Sequence, residues 1–222
     1  ATREAAESTG LGIGVVIAAN RTRHPLDART LARLAVQYAD RGVVGFGLSN
    51  DERRGTTSAF APAFSIAARA GLLSTPHGGE LRGADSVAAC LHDLGAQRIG
   101  HGVRCVEDPR VLEQVATAGV TLEVCPVSNV ALGVYAAHEE VPVPQLLEAG
   151  VGVALGADDP LLFGSRLASQ YAVVRAAHEL DDATLARMAA MSVRASRAPS
   201  DLCDRLLAGI DDWLSRPADV PS

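Results

Sequence analysis

Two imidazoles and three carboxylates stand in short clusters along the chain: His77 and Glu80 in HGGE, His101 in GHG, Asp158 and Asp159 in ADDP. An imidazole near neutral pH moves a proton or ligates a metal. Two adjacent carboxylates facing one pocket repel, and one pKa rises unless a cation compensates them. Gly78 and Gly79, between His77 and Glu80, let the backbone pass close to a ligand. Each cluster alone has a plain structural reading, as a hydrogen-bonded loop histidine, a solvated acid, or a turn ended by Pro160. Together they describe a metal-assisted site, because zinc accepts imidazole nitrogen and carboxylate oxygen and keeps an open position when catalytic.

The elements that must carry these residues alternate regularly. Apolar runs GIGVVIA (12–18), VVGFGL (43–48), LLST (72–75), RIGH (98–101), TLEVC (121–125) and VGVALGA (151–157) are short, and several are rich in β-branched residues. Helical periodicity follows over 27–40, 60–71, 84–94, 108–119 and 142–149, then near 165–179, 182–191 and 200–214. Six strand–helix units of this kind predict a parallel sheet. GLGIG (10–14) does not continue into the glycine pattern of a dinucleotide site. The choice lies between an open doubly wound sheet and a (β/α)8 TIM-type barrel, which uses eight units and about 250 residues.

In either architecture chemistry collects where strands end. The segments after the apolar runs are NRTRH (20–24), SNDE (49–52), TPHGGE (75–80), IGHG (99–102), CPVSN (125–129) and ADDP (157–160), and five of the six contain an imidazole or a carboxylate. That distribution predicts a catalytic pocket at one rim. The totals exclude other classes. A formal net charge of −6 does not favour nucleic acid or an anionic membrane. No run is long enough to span a membrane. Cys90, Cys105, Cys125 and Cys203 are widely spaced, which reads as reduced thiols in a cytoplasmic protein. His24 is expected to be structural or pocket-lining, His92 and His178 solvated, and Trp213 a docking residue on the last helix.

HGGE (77–80), GHG (100–102), CPVSN (125–129) and ADDP (157–160), in this order, resemble the metal-dependent adenosine/adenine deaminases of the amidohydrolase superfamily, with SNDE (49–52) and SVRASRAP (192–199) adding support. The resemblance implies a (β/α)8 barrel with one zinc ion. This chain would supply about six βα units, strands 3–8, as a single deaminase barrel domain over 1–222. That domain would be incomplete at its N-terminus, with the helices of 164–222 packed on the barrel. Carried over by motif, His77 and Asp158 are implied as zinc ligands. Glu80 would protonate the purine ring, with burial keeping its carboxyl protonated. His101 would orient the water and help take its proton. Asp159, Ser49, Asn50 and Gly79 would line the purine. The implied reaction is hydrolytic deamination of adenosine to inosine and ammonia, with adenine or another 6-aminopurine as the alternative.

The sequence also departs from the family pattern. Asn50 stands where the family usually has glycine. The family's His-x-His is absent, since no two of the six histidines are separated by one residue. A longer polypeptide, a truncated form with weak zinc binding, or a second chain completing the barrel would each account for this. A non-catalytic purine-binding homologue is the competing class. A two-metal amidohydrolase bridged by carboxylated lysine is closed, because the chain contains no lysine. The cytidine-type deaminases are excluded as well, because Cys125–Pro126 has no paired cysteine after it.

Overall fold

The computed structural model describes residues 2–216. Strands β1 (Val15–Asn20), β2 (Val43–Ser49), β3 (Leu73–Gly78), β4 (Arg98–His101), β5 (Thr121–Val124) and β6 (Gly152–Leu155) form one sheet in the order β1-β2-β3-β4-β5-β6. Every neighbouring pair is parallel. A doubly wound sheet reverses its strand order part-way. This one advances steadily in one direction, as a barrel does, and is a partial (β/α)8 barrel. Among the described residues, β1 and β6 each pair with one strand only.

Parallel neighbours need a crossover, and helices provide it. In chain order these are α1 (Thr2–Thr9), α2 (Pro25–Gln37), α3 (Ala61–Arg69), α4 (Ala84–Leu94), α5 (Pro109–Thr117), α6 (Pro126–Ala131), α7 (Val143–Glu148), α8 (Pro160–Phe163), α9 (Leu167–His178), α10 (Asp182–Arg194) and α11 (Ser200–Ser215). Their starts follow capping chemistry. Asp108 and Asp181 accept backbone N–H groups at the starts of α5 and α10, and His24 Nδ1 accepts from Leu26 N–H at the start of α2. Helix α2 buries Ala28, Ala32 and Ala35, a stripe small enough to let it approach the sheet closely. Helix α4 buries Val87, Cys90 and Leu94 on one face.

The apolar core lies between the strands and this outer ring of helices. One cluster gathers Ile99, Leu122, Val153, Leu146 and Met188, and another gathers Phe46, Phe60, Phe64 and Ala32. The inner face of the sheet is more polar. Arg98 and Glu123 form an ion pair there at 2.6 Å, and Arg98 Nη1 donates to the Ala195 carbonyl at the end of α10. That bond ties the SVRASRAP segment to the barrel interior. Helix α11 has no fully buried residue, and Trp213 remains 45% exposed. No helix among the described residues is long and apolar enough to cross a membrane. Residues 217–222, part of the expected C-terminal helical region, lie outside the described residues.

Leu122 is fully buried in β5, between the helices and the inner face. Leu122→Ala is expected to lower unfolding free energy by about 2–5 kcal/mol, measured by urea titration.

Candidate active site

Strand ends β3 and β4 bring the first three groups together. His77 and Gly78 belong to β3 itself, in register with Gly100 and His101 of β4. His77 therefore projects from a strand, which corrects its expected place in a loop after one. The His77 and His101 rings meet edge to face, with centroids 4.7 Å apart. His77 Nε2 lies 3.1 Å from Glu80 Oε2, and His101 Nδ1 lies 3.3 Å from Glu80 Oε1. One potential ligand atom from each of His77, Glu80 and His101 lies within 4.8 Å of the other two. Asp158 reaches the edge of this triad, with Oδ2 at 3.8 Å from His101 Nε2.

A cavity of about 440 Å³ opens along the inner face of the barrel and includes His77, His101, Cys125 and Asp158 in its wall. A larger groove, about 630 Å³, lies between α9, α10 and α11 beside Trp213. It contains none of the five clustered residues, so the chemistry belongs to the smaller cavity.

The backbone is strained where these groups sit. Of the four non-glycine residues with positive φ among the described residues, Asn50 (82°) directly follows β2, His101 (62°) closes β4, and Asp158 (54°) lies in the segment between β6 and α8. Such conformations cost energy and collect at functional sites. Asparagine tolerates this region better than most residues, so Asn50 fits a backbone position that also suits glycine. Gly79, at φ 73°, could not carry a side chain: a Cβ there would lie 2.2 Å from Val87 Cγ2.

The other expected contacts are distributed unevenly. Asp159 Oδ1 accepts the N–H groups of Leu161 and Leu162, capping α8, so this oxygen already serves the backbone. Ser49 Oγ donates to the Ala19 carbonyl, and Asn50 Oδ1 accepts from Asp51 N–H. The Gly79 N–H is taken by Glu52. His24 caps α2, and exposed His92 contacts Gln114. His178 is half-buried rather than solvated, because it faces partly inward from α9.

Three residues escaped sequence reasoning. Glu52, buried at 0% exposure, accepts from the N–H groups of Gly79, Glu80 and Leu81 and from Ser86 Oγ. Arg21 is 2% exposed, and its Nη2 donates to the His77 carbonyl at 2.5 Å. Asn129, on α6, points one amide nitrogen at both Glu80 Oε1 (3.3 Å) and His101 Nδ1 (3.2 Å). NRTRH, SNDE and CPVSN held all three, but nothing local singles them out.

Burial pushes Glu80 up, yet the hydrogen bond with His77 and the charges that His101 and His77 carry when protonated outweigh it, so its pKa is lowered from the ordinary 4.5. This direction runs against the expectation that burial raises Glu80 enough to keep it protonated. Glu52 follows the same pattern, raised by burial and lowered further by His77 and the backbone N–H groups. Burial, then the charge of His77, lowers His101 below 6.5, which keeps its imidazole neutral and able to accept a proton or a cation. Burial pushes Cys90, Cys105 and Cys125 up to about 12, so these thiols are inert.

The donor chemistry and positions match a known family. The adenosine deaminase family profile matches residues 1–213. The chain belongs to the adenosine/adenine deaminase family of metal-dependent amidohydrolases. This deaminase-family chain is 64% identical over 211 residues to a Streptomyces virginiae protein named as a candidate adenosine/adenine deaminase, covering 95% of this chain and 62% of that one. It is 41% identical over 193 residues to an adenine deaminase of Chelativorans sp., covering 87% and 59%. The crystal structure of adenine deaminase from Arthrobacter aurescens superposes with a TM-score of 0.88 at 29% identity, covering 96% of this chain and 65% of that one. The chain thus spans about 60% of the length of the curated relatives it matches.

The lowered pKa values carry a sign. The unfolded chain binds protons before folded His101, Glu52 and Glu80 do, so acid favours unfolding. The thermal midpoint is expected to fall as pH drops below 6.5, and more steeply below 4.5, when followed by circular dichroism in low-salt buffers.

Proposed function

We propose hydrolytic deamination of a 6-aminopurine, with the free base adenine preferred over adenosine. The observation that carries the reading is the convergence of His77, Glu80 and His101 within 4.8 Å at the strand ends, with Asp158 beside them. Relatives named adenine deaminase, one of them 41% identical, support the base over the nucleoside. The motif resemblance by itself points first to adenosine, which is the second reading.

The donor set suits a divalent ion such as zinc, since it offers imidazole nitrogen and carboxylate oxygen around one point. His77 supports this fit by turning Nε2 toward Glu80 Oε2, at 3.1 Å, within the cluster. We assign the ion to His77, a member of that cluster, and to Asp158, whose Oδ2 reaches the cluster's edge 3.8 Å from His101 Nε2. Glu80 and His101, at 5% and 6%, are more enclosed and share the Asn129 amide, which suits groups that pass protons. When bound, such an ion supplies Lewis acidity that makes water nucleophilic near neutral pH.

The remaining chemistry falls to the chain. An amino-bearing purine carbon is a poor electrophile until a neighbouring ring nitrogen is protonated. Glu80 is assigned to deliver that proton, taking it up as the purine enters and returning to the carboxylate. His101, neutral at pH 7, accepts a proton from the attacking water through Nε2, the nitrogen that faces Asp158. Asn129 keeps the two groups at fixed separation. His101 then passes its proton to the amino group, the C–N bond breaks, and the new hydroxyl loses its proton to solvent, replacing the one Glu80 took up. Water and adenine thus give the 6-oxo purine and ammonia with no net change in protons on the protein. Asp159 retains a free carboxylate oxygen for the five-membered ring of the purine, and its other oxygen keeps α8 in place.

Ammonia release from adenine and from adenosine by the zinc-loaded protein tests the proposal. Adenine is expected to give the higher kcat/KM, and Glu80→Gln to lower kcat by about 10²–10⁴-fold. A higher value for adenosine reverses the substrate assignment. Adenine binding without ammonia release assigns the chain a purine-binding role instead.

A further inference from the structure

Glu52 takes no part in the chemistry assigned above, yet its position is tightly specified. It lies at the start of the β2–α3 connection and reaches the turn after β3. Oε2 accepts from Gly79 N–H and Ser86 Oγ, both at 2.8 Å, and Oε1 accepts from Glu80 N–H at 2.8 Å and Leu81 N–H at 3.2 Å. Oε1 is also 3.5 Å from His77 Nδ1, the ring nitrogen that lacks a hydrogen bond. A carboxylate removed from water is costly unless such donors compensate it. Neutral acceptors would serve as well for the backbone N–H groups alone. The anion gains its advantage from the imidazole.

Arg21 grips the same residue from the other side, through the His77 carbonyl. His77 is thus fixed at its main chain by Arg21 and faced at its ring by Glu52, while Nε2 points at Glu80 and the cavity. An imidazole that ligates a cation through one nitrogen donates its other N–H to an acceptor, commonly a carboxylate, and loss of that acceptor weakens metal binding.

We propose that Glu52 is a positioning residue for the site. It holds the turn of residues 77–81 so that His77 and Glu80 face one point, and it stands as the hydrogen-bond acceptor for His77 Nδ1–H, which leaves Nε2 turned to the cavity. The inference rests on the deaminase reading above. It concerns the orientation of this chain's own side chains, so it can be read with and without metal.

The decisive comparison is between Glu52→Gln and Ser86→Ala. The glutamine keeps the volume and one carbonyl acceptor but removes the anion. The alanine removes a donor to Glu52 and leaves His77 untouched. Zinc affinity, measured by competition with a chromophoric chelator, is expected to fall about 10–100-fold in Glu52→Gln. Ser86→Ala is expected to lose thermal stability and keep its zinc affinity. In the metal-free protein, NMR relaxation of the His77 imidazole is expected to show a looser ring in Glu52→Gln only. Where adenine is turned over, kcat is expected to drop with KM little changed.

Wild-type zinc affinity and ring order in a folded Glu52→Gln protein would overturn the proposal. So would equal losses in the two variants, because Glu52 would then be a fold anchor alone. If the unaltered protein binds no zinc and releases no ammonia, the functional reading fails. The His77 ring in metal-free protein still decides the role of Glu52: loosened by Glu52→Gln it stands, unchanged it falls.

Discussion

The parallel ladder is the constraint on which everything else rests. Five consecutive parallel pairings send all six strands in one direction, so every strand ends at the same rim. Each return crossing must then run outside the sheet as helix or loop. The helices bury their apolar faces against the outer side, where Phe46, Ile99 and Leu122 are fully enclosed. The inner side is free to be polar, and it carries the Arg98–Glu123 pair and the cavity beside His77 and His101. Polar residues that lie far apart in the chain become neighbours at the rim because the strands that precede them are neighbours.

At that rim the electrostatics is a matter of mutual compensation. Glu52 and Glu80 are both buried, which alone would raise their pKa values. The charge of His77, with backbone N–H groups and a serine hydroxyl, lowers Glu52, and the hydrogen bond with His77, with the charges of His101 and His77 when protonated, lowers Glu80. His101 is kept neutral by the same enclosure that burdens the carboxylates. A low-dielectric setting sharpens each of these effects, so removing one partner disturbs the others. The left-handed backbone at Asn50, His101 and Asp158 belongs to the same arrangement, turning the chain as it leaves β2, β4 and β6.

Much of this was legible in order along the chain. All six apolar runs became strands, and the long periodic segments became helices, because period and length are local properties. His77, Glu80, His101 and Asp158 announced themselves as ionisable groups directly after apolar runs. Short helices were harder to see. Helix α6 begins inside CPVSN at Pro126, and α8 begins at Pro160 with Asp159 as its cap. Both are too short to show a hydrophobic period, so motif residues were read there in place of helix starts. Asp159 therefore has a backbone task that its position beside Asp158 does not reveal.

By itself the sequence determined the unit repeat, the rim that would hold the chemistry and the types of group available there. Those depend on the spacing of apolar residues and on what immediately follows them. Only the tertiary structure decided which groups meet. Glu52 touches residues 79–81, Arg21 touches His77, and Asn129 spans Glu80 and His101, all contacts between separate βα units. No local pattern encodes such pairs, because they arise only when sheet register and crossover place distant strand ends side by side. The same register set the environment of Glu80, since burial raises its pKa and the neighbouring imidazoles lower it.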